Sequence, residues 1–193
     1  MAKRRRLRAD ERKREIQEVA IRLFNEKGYG NCTLTDIIEA SGLSRGGFYH
    51  HYHDKVEILY DLMMAGNMYR ISENNGYISE HAGVDAKETL VEITLNRILD
   101  ENELKNIYVM LLQEMRQDKA LRELYDKLYD DSIELMSRHF EECGLKVEDT
   151  WKSDFFNAFL NSLFLGMYAL DAKEIFEREK DTLRKVFRVI LGG

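Results

Sequence analysis

The sequence predicts an all-α fold, and three observations carry the prediction. Apolar residues recur at helical spacing along most of the chain. No stretch holds the period-two alternation of a half-buried strand. The 193 residues include no proline, the residue that interrupts helix interiors and populates loops and edge strands. The length suits one or two compact domains, and a hydrophobic content of 44% excludes a disordered chain.

The elements follow in order. Ile16, Val19, Ala20, Leu23 and Phe24 form one apolar stripe of a first helix that begins near Asp10 and stops at Gly28 and Gly30. Thr33 opens a second helix as its N-cap, with Asp36 placed where a carboxylate favours the positive helix end. Leu34, Ile37 and Ile38 give its buried face, and Gly42 stops it by supplying the left-handed residue of a tight turn. Ser44 caps a short third helix over about residues 45–51, and Asp54 caps a fourth from Lys55 to about Arg70. The polar, glycine-bearing residues 72–84 read as a loop. Five further helices are marked by Leu90–Ile98, Leu104–Met115, Leu121–Met136 (ended by Gly144), Lys152–Leu170 and Lys173–Leu191, making about nine in all.

Charge is distributed unevenly. Residues 1–55 hold 12 Lys/Arg and 8 Asp/Glu, a net of +4, so within a total of −6 the remainder carries −10. A basic head on an acidic body suits a head that meets phosphate, with Lys3, Arg4, Arg5, Arg6 and Arg8 forming either a solubilising tail or an arm on DNA. No apolar run reaches the roughly 18–20 residues needed to span a membrane, and charges from Arg8 to Lys13 replace the apolar stretch a signal peptide requires. The expected location is therefore cytoplasmic. Cys32 and Cys143 lack metal-type spacing and read as free thiols. His50, His51 and His53 lie on diverging helical directions, so neither a metal nor any other cofactor is expected.

Three short helices within residues 10–52, two of them joined by a glycine-bearing turn, make a helix-turn-helix pattern whose second helix would enter the major groove. Residues 33–52, TLTDIIEASGLSRGGFYHHY, followed by HDKVEIL, resemble the signature of the tetracycline-repressor (TetR) family. The matching positions are Thr33, Asp36, Ile37, Gly42, Leu43, Ser44, Arg45, Gly46, Phe48, Tyr49, His51, Tyr52, Lys55 and Leu59. Ile38, Ser41 and Gly47 depart from the family pattern, Gly47 by removing a side chain from the reading helix.

The resemblance implies a DNA-binding domain over residues 1–54 and a ligand-sensing, dimerising domain over residues 55–193. Candidate DNA contacts are Thr33, Thr35, Ser44, Arg45, Gly46, Gly47, Tyr49, His50 and Lys55. Lys55 stands at a helix start, where a cation opposes the dipole and a phosphate partner would account for it. The resemblance also implies a ligand pocket in the body; methionines and tyrosines at helical spacing more often build ordinary core, but they make Tyr60, Met63, Met64, Asn67, Arg97, Tyr108, Tyr125 and Tyr129 the candidates to line it. Ala158, Ser162 and Gly166 recur every four residues among Phe155 and Phe159; with Phe187 on the last helix they form a candidate dimer surface. The expected partners are double-stranded DNA, a small apolar or amphipathic effector and a second copy of the chain. The expected activity is ligand-relieved repression at a palindromic operator; a helical protein-interaction module or an activator of the same fold are the alternatives. No phosphate loop, nucleophile elbow or His-Glu metal motif points to an enzyme.

Overall fold

A computed structural model describes residues 9–192, so the basic charges at positions 3–8 lie outside the described residues. The helices are α1 (Ala9–Lys27), α2 (Leu34–Ser41), α3 (Arg45–Tyr49), α4 (Lys55–Glu80), α5 (Ala86–Leu99), α6 (Leu104–Glu114), α7 (Lys119–Glu142), α8 (Asp154–Ala169), α9 (Lys173–Arg178) and α10 (Lys180–Ile190), with a 3₁₀ turn at Asp149–Lys152. Among the described residues there is no strand, and no helix is long and apolar enough to cross a membrane.

Local chemistry sets the first boundaries. Thr33 and Asp36 form a reciprocal capping box: the Thr33 hydroxyl accepts from the Asp36 amide at 3.1 Å while the Asp36 carboxylate accepts from the Thr33 amide at 2.8 Å. Lys27 reaches the same carboxylate at 2.8 Å, tying the end of α1 to the start of α2. Gly42 takes φ 62°, which ends α2 and turns the chain into α3. Ser44 and Asp54 cap α3 and α4 through the Gly47 and Glu57 amides.

Two expectations are corrected. Residues 72–80 are not loop: α4 runs on to Glu80, and the break falls at His81–Asp85, where Gly83 has φ 92°. Ile71, Asn74 and Tyr77, three residues apart, keep the polar stretch helical by turning one face inward; Asn74 is buried, and Ile71 and Tyr77 pack on the body's core. The last helix is also interrupted, at Glu179. The interruption lets the Phe176 ring of α9 cover Gly166 on α8 while α10 lays Leu183 and Phe187 into the core that α5 shares.

Two apolar cores result. The first joins Ile16, Phe24, Ile37, Phe48 and Tyr52 of the first three helices and their loop to Leu59, Leu62 and Met63 of α4, then to Ile107, Leu111, Leu124 and Leu128 of α6 and α7. The second gathers α5, α8 and α10 around Leu95, Ile98, Phe164 and Phe187. The N-terminal helices are thus fused to α4, α6 and α7 rather than strung from them. Polar bonds reinforce the seam: Gly30 N–H donates to the Glu114 carboxylate at 3.0 Å, and Asp61 accepts from Tyr52 Oη at 2.9 Å and Lys13 Nζ at 2.7 Å.

Candidate functional site

Two features could do chemistry at a surface or an interior: the outer face of α2–α3 and a large cavity in the body. On α3, Phe48 points inward and is fully buried, so the positions around it must point out. Ser44, Arg45, Gly46, Tyr49 and His50 are exposed, Tyr49 by 44%, and Thr33 and Thr35 of the α2 start are exposed as well. These residues make one convex face with a cation, an aromatic hydroxyl and bare backbone. Gly46 has open space around it, whereas a Cβ at Gly47 would stand 3.2 Å from the Ser44 hydroxyl that caps the helix. Glycine at position 47 therefore leaves the cap undisturbed, which gives its departure from the family pattern a local reason.

Lys55 does not share that face. Its ammonium donates to the Tyr29 carbonyl at 2.8 Å and the Cys32 carbonyl at 2.6 Å and lies 4.2 Å from the centre of the Tyr29 ring. These carbonyls close the α1–α2 turn, and their negative ends account for a cation at a helix start without any phosphate. Lys55 is thus a clamp between α4 and the first two helices, a correction to its reading as an outward contact.

The cavity has a volume of about 770 Å³ and lies among α4, α5, α6, α7, α8 and the 3₁₀ turn, within the range typical of small-molecule sites. Of the pocket candidates, Met63, Asn67, Arg97, Tyr108, Tyr125 and Tyr129 line it. Tyr60 and Met64 do not: Tyr60 bonds Asp131 of α7 at 2.9 Å one turn nearer the N-terminal helices, and Met64 packs on the first core. Ile93, Leu128, Met136, Phe156, Leu160 and Phe164 add apolar wall. The polar groups are organised: Tyr108 Oη donates to Asn161 Oδ1 at 2.8 Å, and the Asn157 and Asn161 amides both donate to Tyr125 Oη.

Sequence reasoning missed Arg70, which lines the cavity beside Asn67. Its position seven after Met63 and three after Asn67 on the same helix face was the available signal. Arg70 Nη2 donates to Asn67 Oδ1 at 2.7 Å, while its Nε is buried without a partner among the described residues. Burial and then the nearby Arg97 charge push the Arg70 guanidinium well below its usual pKa; burial also lowers that of Arg97. Lys105, also on the lining, is held by the Asp100 carboxylate and the Ile98 carbonyl.

Outside the cavity, the proposed pairing residues divide. Phe155 is 67% exposed, Ala158 and Ser162 are exposed and Phe159 is half-buried; Val189 of α10 is 75% exposed. Phe187 has no exposed surface, because it packs edge-on against Phe159 inside the second core. Gly166 faces Phe176 of its own chain, with ring carbons 3.1 Å from where a Cβ would stand. These two residues serve packing within the chain, a correction to their assignment to a partner surface.

Comparison with known proteins agrees with this geometry. Residues 16–62, from α1 to the first turns of α4, match the family of bacterial regulatory proteins designated tetR. YerO, an uncharacterized HTH-type transcriptional regulator of Bacillus subtilis, is 26% identical over 95% of this chain and 68% of its own length. The HTH-type transcriptional repressor AcnR of Corynebacterium glutamicum is 24% identical over 90% of this chain and 93% of its own. Among solved structures, a protein of Syntrophomonas wolfei assigned to the TetR-family transcriptional regulators has a TM-score of 0.70 at 23% identity, covering 96% of this chain and 97% of its own. GusR of Salmonella enterica has a TM-score of 0.67 at 18% identity, covering 94% and 95%. The curated relatives are transcriptional regulators rather than enzymes.

Proposed function

The chain belongs to the TetR family of bacterial regulatory proteins and is a DNA-binding transcriptional regulator, and from that premise we propose that it is a homodimeric repressor released from a palindromic operator by a small molecule in the body's cavity. The observation that carries the proposal is the course of α4. This helix of 26 residues is about 39 Å long, at 1.5 Å per residue. Its first turn is clamped to the α1–α2 turn by Lys55, and its later turns supply Met63, Asn67, Arg70 and Tyr77 to the cavity. A ligand that shifts α4 must therefore move the face carrying Arg45 and Tyr49. Helix α6 is a second link, lining the cavity with Lys105 and Tyr108 and reaching the first helices through Glu114.

Arg45, Tyr49 and His50 read bases or phosphates in the major groove, with Thr33, Thr35 and Ser44 beside them. One short helix covers few base pairs, so a second copy related by a two-fold axis completes the reader. Phe155, Ala158, Ser162 and Val189 are the apolar and small surface through which the copies pair; Phe159 borders it. The working location is the cytoplasm, with the DNA. Coupling of this kind is reciprocal: effector and operator weaken each other by the same factor.

The test is selection of bound duplexes from a random library by the purified protein at two salt concentrations, followed by sequencing. A palindrome with half-sites one helical turn or more apart is the expected result and supplies a probe for effector release. Binding without sequence preference at either salt would remove the repressor reading.

A further inference from the structure

We infer that the molecule filling the cavity is an organic anion, its charged head held by Arg70 and Arg97 and its apolar body against the surrounding helices. The inference rests on the reading of the cavity as an effector site and names the chemistry of the effector. Arg70 and Arg97 both face the cavity, and among the described residues neither forms an ion pair with a carboxylate. Arg70 has one bond, to Asn67, and a buried Nε without a partner. Arg97 stands over the Phe164 ring at 5.7 Å. The carboxylates near them do not balance the pair. Asp100 on the lining offsets both arginines in part but is shared with Lys105, and Glu73 and Glu80, also on the lining, are exposed. The cavity wall therefore sets three cations, Arg70, Arg97 and Lys105, around the one engaged carboxylate of Asp100, with the Arg97 charge opposing that of Arg70.

A ligand resolves both problems at once. A carboxylate or phosphate oxygen set between the guanidiniums would satisfy Arg70 Nε, cancel the repulsion and exploit the planar fork that suits arginine to such groups. The indole Nε1 of Trp151, also buried without a partner on the cavity wall, is a further donor for the same ligand. Met63, Ile93, Leu128, Met136, Phe156 and Leu160 would enclose an apolar body. A neutral apolar molecule fits the volume but leaves the cations as they are.

The experiment uses three competitors with one ring system, naphthoate, naphthyl phosphate and neutral naphthamide, displacing the fluorescent probe anilinonaphthalene sulfonate from the full-length protein. At least one anion is expected to bind about tenfold or more tightly than naphthamide, a difference of about 1.4 kcal/mol. The tighter anion identifies the head as carboxylate or phosphate. R97Q and R70Q should each erase most of the preference while leaving naphthamide unchanged, and R97K should retain part of it. Unliganded R97Q should melt close to the wild type, since the loss of one of two repelling charges offsets the loss of the contact with the Phe164 ring. R97Q thus carries the test even if R70Q fails to fold. Equal binding of the three competitors, no displacement by any of them, or an anion preference that survives R97Q overturns the inference. Operator affinity, measured with the same competitors, separates this outcome from failure of the regulator reading. If naphthamide releases DNA as well as the anions do, the effector site stands and the anion does not. If the anions bind with the stated preference and DNA is unaffected, the anion site stands and the effector reading falls.

Discussion

The N-terminal helices and the cavity-bearing half treat polar groups in opposite ways. Around α1–α3, polar groups find partners within the chain: Thr33, Ser44 and Asp54 cap helix starts, Tyr52 Oη bonds both Gln17 and Asp61, and Lys55 occupies two turn carbonyls. In the body, Arg70 Nε and Trp151 Nε1 are buried on the wall of a cavity without partners among the described residues. A reader must hold one shape before it meets DNA, so its interior is complete. In the proposed reading the body is a sensor completed by what it senses, which would account for an interior left short of partners. The seam between them is built like the first region, with Asp61 and Glu114 bonded across it, so under the proposed function a change in the body would reach the reading face as a rigid displacement.

The contrast is broken most severely at the reader's core. Phe48→Ala removes a fully buried ring from the first core, and should cost about 3–5 kcal/mol in urea denaturation. A comparable loss from Arg97→Gln would contradict the contrast, since that residue lies in a half where losing a repelling charge offsets the lost ring contact. Next in size are substitutions on the outer face. Arg45→Ala and Tyr49→Ala should each weaken operator binding by about 1–3 kcal/mol, read by fluorescence anisotropy, with the melting temperature unmoved because both side chains are exposed. A fall in melting temperature that tracks the lost affinity would return these residues to a packing role.

Lys55→Ala sharpens the comparison at the seam. Freeing two turn carbonyls from a charged donor should lower stability by about 1–3 kcal/mol. Operator affinity should fall through misplacement of the reading face, while the slope of log affinity against log salt stays as in the wild type. A phosphate contact at this position predicts a different result, a slope smaller by about one ion.

These regions also differ in how far the sequence could reveal them. Thr33, Asp36, Gly42 and Ser44 act on atoms within three residues of themselves, and so the turn and both caps could be read directly. Lys55 could not, because its partners lie 26 and 23 residues earlier in the chain and only the folded turn brings them together. The polar stretch after Ile71 hides a helix because the inward face of Ile71, Asn74 and Tyr77 includes an asparagine that only tertiary packing buries. Phe187 was legible as apolar, but an apolar stripe does not say whether its own chain or another covers it; Phe159 does so here. The residues Met63, Asn67, Arg97, Tyr108, Tyr125 and Tyr129 on the lining were among the sequence candidates, whereas Ile93, Leu128, Phe156 and Phe164 could not be told from ordinary core, and neither could Arg70 be told from surface. Arg70 looks like an ordinary surface arginine until the helices close around it.

The smallest expected effect compares one histidine from each half. Burial first, then the charges of His50, Arg12 and Lys13, lower the pKa of His51 below 6.5. Burial lowers that of His139 on α7, whose Nε2 is buried without a partner among the described residues. In both cases the unfolded chain binds the proton more tightly than the folded one. Their contribution to stability is therefore complete above about pH 6.5 and is lost as pH falls through the lowered folded-state values. The hydrogen-bonded carboxylates Asp36, Glu88 and Glu101, with pKa values already below the usual range, act only at more acid pH. Urea midpoints at pH 7.5 and 5.5 should fall slightly for the wild type, and His51→Gln and His139→Gln should each flatten part of that fall. If only His51→Gln does so, the pH response belongs to the N-terminal region alone, and His139 takes up its proton as readily in the folded chain as in the unfolded one.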